Sequence, residues 1–497
     1  MRKLTVAKRA CRKLGLAAAC SVLSIMSSGA LAAEANSIQA PSTGPSSAPA
    51  AAGRPNILFI LIDDMGFADL SIMGNRKIET PNLDRLARDG VLLTQFYDPA
   101  PICSPSRAGM FTGRFPAELN FVTFLDDQAA NAAFGQADWL DPKLPNLANL
   151  LHSAGYAKGH FGKWHMGGGR DISDAPWPTA YGFDESFTTF EGLGPRVLVA
   201  DEERFLADMS GKLGQGPTFY ERKSNLTQLF ASKTLDFVSR QKGRPWFVQL
   251  WLNDVHDPWA PDDAQFAQVK GKGANGDDDR YLASLAAMDR TLGNLFERLK
   301  DGGQLENTLI IVTSDNGPSA RQRYYQNDAS APGSVLNLRG RKGSLYEGGI
   351  RQPLIMSWSG HVKPGYRDER TVAEGVDLLP TVASVAGVAR PADLPGIDLS
   401  ATLQGTEIKK RPPLFWSFGL PNSSNKPRGP FLKRDAAPML AVRDGRWKLL
   451  AQPDGSDVQL YDMESDPAES NNLAMSNRGV CERLLVDLMS WSSKLPD

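Results

Sequence analysis

Three apolar runs, each closed by acidic or amide side chains, constrain this chain more than anything else in it. Residues 56–62 read NILFILI and stop at Asp63-Asp64-Met65-Gly66. Residues 245–252 read PWFVQLWL and lead into Asn253-Asp254-Val255-His256-Asp257-Pro258, and residues 309–313 read LIIVT and stop at Ser314-Asp315-Asn316-Gly317. Continuous apolar, β-branched runs of this length are strands buried on both faces, as in a parallel sheet covered by helices. Open sheets of that kind place their ligands beyond the carboxyl ends of the strands. If the first and third runs lie parallel in one sheet, Asp63, Asp64, Asp315 and Asn316 meet at one edge. Four oxygen donors, three of them anionic, suit a hard divalent cation. A single strand-end aspartate is read as a turn cap; two acidic strand ends that can share an edge are read as a binding arrangement.

The chemistry-bearing stretch is residues 101–113, PICSPSRAGMFTG. Pro105 suits the first position of a helix, Ser104 the N-cap before it, and Thr112-Gly113 its end. Cys103 then sits at the mouth of a helix N-terminus, where partial positive charge favours a thiolate or an oxyanion replacing it, with Arg107 one turn further in.

Cys-x-Pro-x-Arg, then a small and apolar run, then Thr-Gly, resembles the signature of the sulfatase family. Further stretches carry the same resemblance. Residues 155–167, GYAKGHFGKWHMG, are similar to the family's strand ending in Gly-Lys-x-His; alternation along that strand puts Lys163 and His165 on one face and Trp164 on the other. His256 matches a His-x-Pro. Lys342, in LRGRKGSLYEGGIRQP, matches an Arg-Gly-x-Lys followed by Glu-Gly-Gly, where Glu347 and Arg351 are expected to brace the loop by pairing. The resemblance implies that a formylglycine-generating enzyme converts Cys103 to Cα-formylglycine and that the hydrated aldehyde is the nucleophile. It implies a metal held by Asp63, Asp64, residue 103, Asp315 and Asn316, with Ca2+ first and Mg2+ as the alternative. Lys163, Lys342 and Arg107 supply fixed positive charge, His256 is the general acid and His165 the base. The expected reaction is hydrolysis of a carbohydrate or aryl sulfate monoester. One alternative is a phosphonate monoester or phosphodiester hydrolase of the same superfamily, whose members tend to carry His where Asn316 stands. The other is a non-catalytic protein binding sulfated glycans.

The expected fold is α/β, a large mostly parallel central sheet flanked by helices, with a smaller C-terminal antiparallel subdomain. Thr80-Pro81 to Gly90, 144–153, 227–240 and 280–300 read as helices, and Asp444-Gly445 as a hairpin turn. Gly167-Gly168-Gly169 reads as a mobile loop, and 270–279 as a solvated excursion. The expected division is a signal peptide over 1–32, a disordered Ala/Pro/Ser-rich linker over 33–54, a catalytic domain over 55–400 and the subdomain over 401–497. The first segment has a basic start and an apolar run too short to span a bilayer, so export to the periplasm or medium is expected, with no transmembrane segment. A lipid anchor at Cys20 is disfavoured by Ala17 three residues before it. Losing 1–32 removes six of 55 basic residues and none of 56 acidic ones, which leaves no basic tract for nucleic acid. Of four cysteines, Cys11 and Cys20 leave with that segment and only Cys103 and Cys481 remain, too few for a disulfide scaffold. His152, His160 and His361 read as structural. Trp177, Trp251 and Trp259 suit either core packing or stacking on a substrate ring.

Overall fold

The computed structural model describes residues 53–200, 208, 211–320, 331–419 and 433–496. The predicted signal peptide with Cys11 and Cys20, and the linker up to residue 52, lie outside the described residues. The main sheet contains β1 (Asn56–Ile62), β2 (Val91–Tyr97), β3 (Ala157–Lys163), β4 (Glu185–Thr189), β5 (Arg196–Val199), β6 (Thr218–Glu221), β7 (Trp246–Leu252), β8 (Thr308–Ser314), β9 (Arg351–Ser357), β10 (Tyr366–Asp368) and β11 (Ala373–Glu374). Their order is β10-β2-β9-β8-β1-β7-β3-β4-β5-β6, with β11 beside β2. Only β9, among the described strands of this sheet, runs antiparallel to its neighbours.

Alternation along the central strands explains why both faces are apolar. Ile57, Phe59 and Leu61 share one buried cluster with Phe247, Trp251, Leu309 and Ile311. Leu58, Ile60 and Ile62 share the other with Val248, Leu250, Leu252, Ile310 and Val312. Each such side chain, fully buried, contributes about 1.5–3 kcal/mol relative to exposure. The helices Pro81–Asp89, Leu226–Ser239 and Gly276–Asp301 cover the second face, and Cys103–Thr112 and Leu378–Ala386 the first.

Several expectations change. The Cys103–Thr112 helix has Ile102 as its N-cap and so starts two residues before Pro105; the Ser104 hydroxyl does not cap it but accepts from the Leu125 N–H. The 144–153 segment is a short helix, Leu147–Leu150, continued by a tighter turn to Ala154. The excursion at 270–279 is not solvated throughout: Asp278 and Asp279 are buried, and Asp279 accepts from the N–H groups of Gly271 and Gly273. Gly167, Gly168 and Gly169 are buried, all at positive φ, and Gly167 bridges to Trp139 and Gly169 to Ile172, which is not a loose loop. Trp251 and Trp259 are core residues.

A second sheet, β12 (Leu414–Ser417), β13 (Leu440–Asp444), β14 (Trp447–Ala451) and β15 (Gln459–Asp462), is antiparallel throughout, with Asp444-Gly445 at a hairpin turn. The Arg478–Ser492 helix packs Leu484 and Leu488 on it. Lys448, fully buried on β14, joins this sheet to the main body: its ammonium lies 3.0 Å from Glu347 and 2.9 Å from Glu469. Glu347 also pairs with Arg351 at 3.3 Å and accepts from the Tyr97 hydroxyl at 2.7 Å, so the expected brace exists and is larger than expected.

Candidate active site

Strand register assembles the site. Ile62 of β1 is level with Leu252 of β7 and Ser314 of β8, so Asp63, Asn253 and Asp315 each stand one step beyond the same edge. Gly162 of β3 is level with Trp251, and Lys163 with Thr189 of β4, which puts Lys163 and Phe190 on that edge too. Asp63, Asp64, Asp315 and Asn316 are all fully buried.

Around them the charges interlock. Lys163 Nζ lies 2.6 Å from Asp63 Oδ2. Lys342 Nζ reaches both oxygens of Asp64, at 2.6 and 2.8 Å. Asn316 Nδ2 donates to Asp64 Oδ1 at 2.7 Å, and the Asp64 N–H donates to Asp315 Oδ1 at 3.2 Å. Arg107 is wholly buried behind this cluster. Its Nε donates to Asp315 Oδ2 at 2.9 Å, its Nη1 to the Lys163 carbonyl at 3.0 Å, and its Nη2 lies 3.5 Å from Asp63 Oδ1, with Trp251 stacked beneath. One turn before it, Cys103 occupies the first helical position, 3% exposed.

Burial pushes the Asp63 carboxyl up, but Lys163, His256, Arg107 and Lys342 outweigh it and hold Asp63 well below the usual range. Burial raises Asp64, with Lys342 opposing, and raises Asp315, with the charge of Asp63 adding to it. Among the described residues, two groups of this cluster keep an oxygen without a hydrogen-bond donor, Asp63 Oδ1 and Asn316 Oδ1, both buried. Ligand atoms of Asp63, Asp64 and His256 lie within 4.8 Å of one another. Buried oxygens that accept no hydrogen bond in an acidic cluster fit a hard cation of the Ca2+ or Mg2+ kind. His256 belongs to this group of donors, which the sequence reading assigned only to proton transfer.

His256 Nε2 stands 3.8 Å from Asp64 Oδ2, and its Nδ1 lies 2.6 Å from the Asp257 carbonyl. Lys223 holds its loop by donating to the carbonyls of His256 and Pro258 at 2.5 and 2.8 Å. His165 does not follow the strand alternation expected of it: β3 ends at Lys163, and His165 turns at φ +53°. Its Nε2 is 3.4 Å from the Leu125 carbonyl, and its buried Nδ1 has no hydrogen-bond partner among the described residues. Burial first, then Lys163 for His165 and Lys342 for His256, holds both imidazoles well below the usual histidine range. His160 sits among Trp164, Phe183 and Trp251, and burial pushes it down to about 3, in keeping with a structural role.

Sequence reasoning missed Phe190, Glu191, Arg170 and Asp126. Phe190 is in ring contact with both His165 and His256. Arg170 joins Glu191, at 2.7 Å, to Asp126. The run ESFTT before Phe190 carried a weak strand signal, obscured by the glycines and prolines around it.

Residues 55–388 match the family described as Sulfatase, and 341–490 match the family described as N-sulphoglucosamine sulphohydrolase, C-terminal. The chain is 31% identical to arylsulfatase A of Homo sapiens over 477 residues, which covers 88% of this chain and 87% of that protein. It is 33% identical to N-acetylgalactosamine-6-sulfatase of Canis lupus familiaris over 380 residues, covering 73% and 68%. The solved structure of Ps i-CgsB in complex with k-i-k-neocarrahexaose aligns with a TM-score of 0.72 at 26% identity, over 89% of this chain and 94% of that one.

Proposed function

The chain belongs to the sulfatase family and is a sulfuric ester hydrolase, and from that premise we propose that it cleaves carbohydrate or aryl sulfate monoesters to an alcohol and inorganic sulfate at the Cys103 site. The observation that carries the reading is the meeting, at one sheet edge, of Asp63 and Asp64 from β1, Asp315 and Asn316 from β8, Lys163 from β3, Lys342 and the Cys103 helix. When present, a divalent cation and a formylglycine at residue 103 supply Lewis acidity and a geminal-diol nucleophile. Asp63, Asp64, Asp315 and Asn316 would hold the cation. Export to the periplasm or medium, and maturation by a formylglycine-generating enzyme, belong to the same proposal.

The remaining work falls to this chain's side chains. Lys163 and Lys342 hold two ammonium groups at the same sheet edge, where they stabilise negative charge on the sulfuryl oxygens. Arg107 fixes the helix bearing Cys103 to the carboxylates behind it. His256, the more exposed of the two imidazoles, is the donor to the leaving oxygen; His165, neutral through burial, accepts a proton from the nucleophile's second hydroxyl. A bound sulfate ester brings a negative charge that opposes the effect of Lys342 on His256 and favours its protonated form.

The test pairs peptide mass spectrometry across Cys103 with turnover of an aryl sulfate and an aryl phosphonate. The expected result is an aldehyde in place of the thiol and faster sulfate cleavage. Faster phosphonate cleavage would transfer the assignment to the phosphonate hydrolases, and an unmodified, inactive thiol in protein from its own host would favour a glycan-binding role.

A further inference from the structure

Phe190 lies one residue beyond β4, at φ +49°, and Glu191 follows at φ +55°. Left-handed backbone is uncommon for a bulky side chain, and where it is held in place it gathers at ligand sites. Here it is held from three sides. The Phe190 carbonyl accepts from the His165 N–H at 3.3 Å, Arg170 Nε donates to Glu191 Oε1 at 2.7 Å, and Gly169 comes so near that a Cβ there would lie 3.1 Å from Glu191 Cα. The absence of a side chain at Gly169 thus admits Glu191, the residue that follows Phe190.

The Phe190 ring stands edge-on to His165 at 4.9 Å and tilted to His256 at 6.2 Å, with Lys163 Nζ 4.9 Å from its centre. Thr188 and Thr189 before it are buried, whereas Phe190 is partly exposed. The ring is thus in contact with both imidazoles, and because His256 is the proposed donor to the leaving oxygen, it borders the space that the alcohol of the ester would take. Beside it, the Arg170 guanidinium is held by Glu191 and Asp126 over the Phe124 ring. An aromatic plate flanked by an arginine between carboxylates offers one surface for a C–H face and another for hydroxyls.

Resting on the sulfatase reading, we propose that Phe190 forms the leaving-group wall of the site and selects esters whose alcohol presents a flat apolar face, a sugar ring before an aryl ring. The ring acts by packing against the alcohol and contributes no proton.

Competition against 4-nitrophenyl sulfate gives the affinity of each ester whether or not it turns over. The probes are N-acetylgalactosamine 6-sulfate, phenyl sulfate and methyl sulfate, tested on the mature protein and on its Phe190→Ala, Phe190→Leu and Phe190→Tyr variants, with thermal unfolding to verify folding. The preference for the ring esters over methyl sulfate should fall about tenfold in the Ala and Leu variants and return with Tyr. A larger fall for the sugar ester than for phenyl sulfate places the sugar first, and the reverse order overturns that ranking. Equal losses for all three probes, carried in kcat, would make Phe190 only a positioning residue for the histidines and overturn the proposal. A wild-type protein that binds methyl sulfate as tightly as the ring esters would overturn it as well. Mature wild-type protein that cleaves no sulfate ester at all would instead refute the sulfatase reading itself.

Discussion

Lys163 and Lys342 carry the same charge to neighbouring carboxylates, but their removal leaves different things behind. Lys163 is 1% exposed and is the close partner of Asp63, whose only other cation within 4 Å among the described residues is Arg107 at 3.5 Å. Its loss strands a buried carboxylate, and breaking such a pair costs about 3–5 kcal/mol. The Lys342 side chain is 16% exposed, and Asp64 keeps the Asn316 amide when it goes. Lys342→Ala should therefore lower kcat by about 10²–10³, the range for loss of one preorganised donor to a developing charge, with a small change in unfolding midpoint. Lys163→Ala should lower both. Steady-state kinetics and calorimetry on the two variants separate these outcomes; equal destabilisation would show that exposure does not distinguish the two lysines.

At the scale of elements, what the sequence disclosed follows from how strongly each segment is buried. β1, β2, β7 and β8 were legible because both their faces are covered, so their residues are mostly apolar and the acidic or amide residues that follow stand out. β4 and β5 were not, because they lie toward an edge of the sheet among glycines and prolines, and Phe190 was lost with them. His165 was misplaced because alternation was carried past Lys163, where the strand stops. Long-range pairing was least legible, as the Lys448 cluster illustrates: nothing local in WKLLA announces a buried lysine between Glu347 and Glu469. That cluster has a pH signature. Burial raises Glu347, but Lys448, Arg351 and Arg443 together lower it from 4.5 to about 2. A carboxyl depressed on folding contributes stability that is fully present above its unfolded value and is lost as pH falls through its folded one. Glu347→Gln should thus destabilise most at neutral pH, and its deficit against wild type should shrink from about pH 4.5 down toward 2. Lys448→Met, which leaves two buried carboxyls facing each other, should cost about 3–5 kcal/mol at pH 7. Urea unfolding of both variants at pH 3, 5 and 7 tests this; a Glu347→Gln deficit that does not vary with pH would refute it.

Across the whole molecule, the candidate cation site closes the carboxyl edge of the main sheet, so its charge balance bears on stability as well as on chemistry. Four oxygen-bearing side chains stand there at 0% exposure. Without internal counter-charges, removing a cation would leave the three carboxylates among them mutually repelling in a low-dielectric interior and threaten the strand ends. The chain supplies those counter-charges itself, Lys163 on Asp63, Lys342 on Asp64 and Arg107 on Asp315. The cation should consequently be needed for turnover but not for folding. Chelation is expected to abolish aryl sulfate cleavage while leaving one cooperative unfolding transition, and Ca2+ at about 100 times its Kd should add about 2.7 kcal/mol and raise the midpoint by a few degrees. The same rise in a Cys103→Ser protein would assign the binding to the carboxylates and Asn316. A rise seen only with mature residue 103 would make that residue an indispensable ligand. Unfolding on chelation would mean that the lysines do not compensate the carboxylates, and the balance argued from these distances would fail.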